Sequence, residues 1–171
     1  MKNAAALAAV LLASAGCGYR ITGRSEVLPP TTRVIAIPAF QNLTSRPKLA
    51  DRIASALTRE FITRTKYNVS SDPDTADVIM DGAVTNYASY PEVFDPITGR
   101  ASGVQIIVTL HISLRERTTG KILFARPGLV VRERYEISVS ELSYFEESDT
   151  AGERLSRDVA RGIVSAILTS F

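Results

Sequence analysis

"VQIIVTLHISLR", residues 104–115, alternates six apolar side chains (Val104, Ile106, Val108, Leu110, Ile112, Leu114) with Gln105, Ile107, Thr109, His111, Ser113 and Arg115. Successive side chains of an extended strand point to opposite faces, so this period predicts a long strand with one wholly apolar face. Downstream, "ERTTGK" (116–121) carries a glycine able to take positive φ and return the chain as a hairpin into a partner strand over Ile122–Ile137. Pro127-Gly128 interrupts that partner. Proline cannot donate to a ladder, so this is expected to be an edge strand or a bulged one. Upstream, "SDPDTAD" (71–77) is rich in turn residues and precedes an expected strand over Val78–Tyr90, and "RVIAIP" (33–38) is a short β-branched run closed by proline, expected to be a buried strand.

Between the first two strands the period changes to the helical one. Leu49, Ile53, Leu57 and Phe61 recur every four residues, with Thr44 or Ser45 placed to cap the helix and Pro47 in its first turn. A second helix is expected from about Asp149 to Ser170, with Leu155, Val159, Ile163, Ala166 and Ile167 on one stripe. Glu146, Glu147, Asp149 and Glu153 would lie near its start, where they favour the helix dipole. The sum is an α+β fold of order β-α-β-β-β-α. Two helices would pack on one face of a four-stranded mixed sheet, burying both stripes and leaving the other face freer.

The N-terminal end has a different character. Lys2, an alanine- and leucine-rich run from Ala4 to Ala13, and the small residues Ser14-Ala15-Gly16 have the layout of a secretory signal. The run is well short of the ~20 residues a spanning helix needs, and no later segment reaches that length. The single cysteine of the chain, Cys17, follows directly. A lone thiol at that position reads as a lipid-attachment site. The stretch resembles the bacterial lipobox, although Ser14 stands where leucine is more usual. Two or more acyl chains attach a protein stably to a membrane. Gly18 follows the cysteine, and no inner-membrane retention aspartate stands there, which favours the outer membrane. Residues 1–16 are therefore expected to be a signal peptide, 17–32 a lipid-anchored tether, and 33–171 one domain. A tether of about fifteen residues reaches at most roughly 50 Å.

With 20 Lys and Arg against 18 Asp and Glu, the chain carries a net charge of +2, which falls to +1 without Lys2. Near-neutrality gives no reason to expect nucleic acid. A chain of this length can bury a real core, and with one cysteine it relies on packing in place of an internal disulfide. Catalysis has little to draw on. His111 is the only histidine, and it sits among polar residues of the long strand. Ser102 in "GRASG" (99–103) lacks the spacing of a nucleophile elbow. Asp72, Asp74 and Asp77 have neither the glycine nor the glutamate of a calcium loop, so turn and capping roles are expected of them. No metal, cofactor or enzymatic activity is expected.

Two features suit binding. Arg100, Arg115, Arg117, Lys121, Arg126, Arg132 and Arg134 cluster along the long hairpin, where they can pair with phosphates or keep an edge soluble. Tyr87, Tyr90 and Phe94, flanked by Pro91 and Pro96, can anchor a partner or close the end of the core.

With "CGYRITG" (17–23), "VIAIPAFQNLTSRPKLADRIASALTREFITRTKY" (34–67), "ADVIMDGAV" (76–84) and the long hairpin, the chain resembles the LptE family of lipopolysaccharide-assembly lipoproteins. The resemblance runs over the whole mature chain and rests on order and lengths, since the family has no catalytic signature. It implies an outer-membrane lipoprotein on the periplasmic side, acting as a plug inside a large LptD-like β-barrel, assisting barrel assembly and delivery of lipopolysaccharide to the cell surface. On charge and position alone, Arg100, Arg117 and Lys121 are chosen as lipopolysaccharide contacts; Tyr87, Tyr90 and Phe94 are chosen as contacts to the barrel wall. "VIAIPAFQNLTS" (34–45) is also similar to the opening of lipoproteins that activate peptidoglycan synthases or form curli-type secretion pores, which is the alternative reading.

Overall fold

A computed structural model describes residues 28–94, 96, 99–137 and 141–169, the side chains of 141–147 excepted. Strands β1 (Val34–Ala36) and β2 (Gln41–Asn42) lead into helix α1 (Leu49–Arg64), which is followed by β3 (Asn68–Ser70) and a 3-10 turn at Pro73–Thr75. Three long strands, β4 (Val78–Phe94), β5 (Ala101–Glu116) and β6 (Ile122–Glu136), then precede helix α2 (Glu141–Thr169). The sheet order is β3-β1-β4-β5-β6, with β2 also on β4; β1, β2 and β3 pair in parallel and the long strands antiparallel. The fold is α+β with two helices and a mixed sheet, as the sequence implied. The sheet has six strands where four were expected, because β2 and β3 are two and three residues long. Such pieces carry no measurable alternation.

The apolar face of β5 is the spine of the core. Val104, Ile106, Val108, Leu110, Ile112 and Leu114 are all buried, with Leu49, Ile53, Leu57 and Phe61 of α1 and Leu155, Val159, Ile163 and Ile167 of α2 packed in the same cluster. The helices run parallel to one another: Arg52 pairs with Asp149 at 3.0 Å near one end, and Arg64 donates to Ser165 Oγ at 2.7 Å near the other. Leu28 is also buried in this cluster, so the core reaches into the segment expected to be a tether.

Local chemistry departs from expectation at both helix starts. Lys48, not Thr44 or Ser45, occupies the N-cap position of α1 and makes no side-chain cap bond. Asn42 organises the turn before it, donating through Nδ2 to the Arg46 carbonyl at 2.7 Å and accepting from Thr44 N at 3.1 Å. Helix α2 begins at Glu141, eight residues before Asp149, so Asp149 and Glu153 are interior positions and not dipole partners of the first turn. The side chains of Glu146 and Glu147 lie outside the described residues, as do residues 1–27 with Cys17. On β6, Pro127 and Gly128 together oppose the single residue His111, between the pairs Leu110–Leu129 and Ile112–Arg126. This is a bulge on an edge strand, with Gly128 at φ +68° as the left-handed residue it requires.

The turn-rich segment 71–77 is a structural clasp. Asp72 accepts from Asp74 N at 3.0 Å, capping the 3-10 turn. Asp77 Oδ2 accepts from the amides of Arg33 at 2.8 Å and Val34 at 3.0 Å, and those two bonds, with help from the Arg117 and Arg33 charges, hold its pKa below the ordinary aspartate value. A depressed carboxylate contributes stability that is complete above its unfolded pKa of about 3.9 and is lost as pH falls through the lower folded value. Because the group is exposed, Asp77→Ala is expected to cost roughly 1–2 kcal/mol at pH 7. The cost should shrink as pH falls below the ordinary aspartate range, as denaturant melts at neutral and acid pH would reveal.

Candidate functional site

The helices cover one face of the sheet, and the long hairpin leaves the other bare. Cross-strand register defines what that bare face carries. Tyr90, Gln105 and Arg134 form one row; Ala88, Ile107 and Arg132 the next; Asn86, Thr109 and Val130 the one after. Val93 stands over Gly103, where a Cβ would lie 3.2 Å from it. Tyr90 and Phe94 are each 56% exposed, with Val93 and Val130 also exposed. The result is an aromatic and aliphatic end followed by an arginine-bearing stretch on a surface with no covering element among the described residues. Single exposed apolar residues are ordinary, but a contiguous group on one face marks an interaction surface.

The charges of this face are mixed and loosely held, since Glu136, opposite Gly103, shares it with Arg132 and Arg134. Arg134 reaches Glu92 at 3.7 Å, while Arg132 has no carboxylate partner among the described residues. Farther along, Arg115 donates to Asp81 Oδ2 at 2.7 Å. Beside that pair, a depression of about 480 Å³ is lined by Pro38, Ala39, Asp81, Ala83, His111, Ser113 and Pro127 among others. It contains a histidine, a serine and an aspartate, but no hydrogen bond joins His111 to Ser113, and Asp81 is committed to Arg115. Ser102 lies nine residues from His111 on the same strand, about 30 Å away. Neither serine forms a nucleophile–base pair with His111. Among the described residues no group of three His, Cys, Asp or Glu side chains could hold a metal ion.

The sequence-chosen residues divide between different places. Tyr90 and Phe94 are on the bare face at the far end of the hairpin, and Arg100 precedes β5 at that same end. Tyr87 is on the opposite, helix-covered face, half-buried, with the Arg46 guanidinium 4.8 Å above its ring. Pairing runs without interruption from Tyr87 to Tyr90, so their odd spacing of three residues puts the two rings on opposite faces. Arg117 and Lys121 flank the β5–β6 turn, about 50 Å from Arg100 by the length of β5. The Arg117 Nε donates to the Ala76 carbonyl at 2.6 Å, tying the turn to the clasp. One ligand cannot span all three cations without lying along the whole hairpin. The residues that choice omitted are Arg132, Arg134, Val93 and Val130. Strict alternation in "LVVRERYE" (129–136), read against β5, puts Val130, Arg132 and Arg134 on one face.

The family described as LptE, lipopolysaccharide-assembly, matches this chain over residues 32–167. No curated protein matches it. Among solved structures, an uncharacterized lipoprotein B from Nitrosomonas europaea aligns with a TM-score of 0.56 at 15% identity, covering 90% of this chain and 92% of that one. The rare lipoprotein B from Shewanella oneidensis aligns at 0.50 and 11%, covering 81% and 96%. The hypothetical protein CT253 from Chlamydia trachomatis aligns at 0.52 and 8%, covering 82% and 99%. At these identities the likeness to the solved structures is one of fold.

Proposed function

The chain belongs to the LptE family of lipopolysaccharide-assembly lipoproteins, and from that membership we propose that it is anchored through Cys17 in the outer membrane, facing the periplasm. There it seats inside the LptD-like transport barrel, assists its assembly and helps pass lipopolysaccharide to the cell surface. No helix among the described residues is long and apolar enough to cross a membrane, so attachment through an acylated cysteine fits the chain. The observation that carries the seating is the bare face of the hairpin. It is long, rigidly backed by the helices, and carries Tyr90, Val93 and Phe94 at one end. Flat aromatic and aliphatic groups supply contact area to a barrel wall at low entropic cost. The adjoining Arg132 and Arg134, with Arg100 at the same end, are suited to the phosphates of lipid A through charge-assisted bonds. Arg117 and Lys121 lie at the opposite end and would contact a different part of the assembly.

The test is affinity capture of the tagged chain from mildly solubilised outer membranes. A large β-barrel protein is expected at near-equal amount. Recovery of a peptidoglycan synthase, or of the chain alone as a large ring, would instead favour the alternative activator or secretion reading. The double change Tyr90→Ser, Phe94→Ser should reduce the captured barrel at least tenfold. The melting temperature should hold within about 2 °C, since exposed positions contribute little to stability. Barrel recovery at the unaltered level would remove the aromatic end from the interface.

A further inference from the structure

On the helix-covered side, well away from the bare face, a cleft of about 160 Å³ opens between the start of α1, the Asp149–Leu155 stretch of α2 and the hairpin. Its floor is apolar, made by Leu49, Tyr87, Ile106, Val108 and Leu155. Gly152 lines it without a side chain, and a Cβ there would stand 3.1 Å from Arg52 Nη1. A cavity of about this size lined by aliphatic and aromatic groups holds a benzene ring, so the cleft has room for part of one apolar chain.

The mouth is cationic. Arg46, Lys48 and Arg52 line it against one carboxylate, Asp149, and that carboxylate is taken by Arg52 at 3.0 Å. Arg46 lies over the Tyr87 ring and Lys48 caps α1 without a side-chain bond; neither has a carboxylate partner among the described residues. Two cations with no carboxylate partner among the described residues, beside an apolar slot, are complementary to a molecule with one negative end and one hydrocarbon end. We propose that this cleft binds a single-chain anionic amphiphile, its hydrocarbon chain inserted between α1, α2 and β5 and its carboxylate or phosphate held by Arg46 and Lys48.

The inference does not depend on the barrel or on the bare face. The probe is sodium decanoate, titrated below its micelle concentration into the full chain held in an amphipol, with decyl phosphate and uncharged decanol in parallel. Methyl and amide resonances of Leu49, Ile106, Gly152 and Leu155 are followed by NMR. Saturable shifts confined to these residues are expected for both anions, with decanol at least tenfold weaker. Gly152→Leu, whose side chain fills the slot and pushes the flexible Arg52 aside, should abolish the shifts, with circular dichroism unchanged. Arg46→Glu with Lys48→Glu should weaken the anions at least tenfold and leave decanol unchanged. Decanoate preferred over decyl phosphate, or the reverse, would identify which headgroup the site takes. Absence of saturable shifts at the cleft, equal binding of decanol, or binding that survives Gly152→Leu would each overturn the proposal.

Discussion

Phe61→Ala is expected to cost about 3–5 kcal/mol, lowering the melting temperature by roughly 10–20 °C. Phe61 is fully buried on the last full turns of α1, in the same cluster as Leu57, Ile53 and the apolar row of β5. Removing its ring forfeits the transfer free energy of the side chain and leaves a hole that α1 cannot close, because its two ends are fixed. One end is tied by Asn42 and by the Arg52–Asp149 pair, the other by Arg64 to Ser165. The adjacent residue is an internal control. Ile62 is 58% exposed on the opposite side of the same turn, and Ile62→Ala should change stability by no more than about 0.5 kcal/mol. Equal losses at the two positions, measured by urea unfolding, would mean that α1 does not pack as described.

Gly82→Ala should be nearly as damaging although it adds one methyl group. The ring of Phe40 lies flat against the Gly82 backbone of β4, and an alanine Cβ there would stand 2.3 Å from Phe40 Cε2 and 2.4 Å from Cδ2. Carbon atoms do not approach so closely, so either the ring leaves its buried place or β4 moves away from it. Moving Phe40 vacates part of the core; moving β4 strains its pairing with Ile112 on β5. Either route is expected to cost about 3 kcal/mol. Phe40→Leu combined with Gly82→Ala should recover part of the loss, because the narrower side chain makes room. A double variant no more stable than Gly82→Ala would show that the clash is not with this ring.

The elements visible in the sequence are those whose physics is local and repeated. Alternation over Val104–Arg115 specified β5 and its buried face, and the four-residue recurrence from Leu49 to Phe61 specified α1. Pro127-Gly128 announced both the edge and the bulge of β6, because proline's missing N–H and glycine's positive φ act wherever the residues occur. What escaped depends on partners distant in the chain. Strands β2 and β3 exist because β1 and β4 offer them free edges. Lys48 begins α1 because Asn42 holds the preceding turn. Glu141–Ser148 continues α2 beyond the point where its apolar stripe becomes readable.

The functional surface was legible in composition more than in arrangement. The hairpin's cations and aromatics were evident, but grouping Arg100 with Arg117 and Lys121 ignored the length of β5 between them. Tyr87 was grouped with Tyr90 although three residues of plain alternation already turn them to opposite faces of β4. The alternation of β6, read against β5, would have placed Val130, Arg132 and Arg134 beside Tyr90.

Burial of Leu28 in the core has a mechanical consequence. Under the anchoring proposed at Cys17, eleven residues separate the lipid from Leu28, which bounds the reach at about 40 Å. A domain so held samples a thin layer over the membrane at an effective concentration in the millimolar range. Its search for a partner in the same membrane becomes two-dimensional. The chain enters β1 at Arg33, clasped by Asp77 beside the β5–β6 turn. That end of the hairpin stays near the point of attachment, while Tyr90 and Phe94 form its free end about 50 Å farther along. Under that anchoring the β5–β6 turn is the tethered end, and Tyr90 and Phe94 are the end free to swing farthest from the membrane.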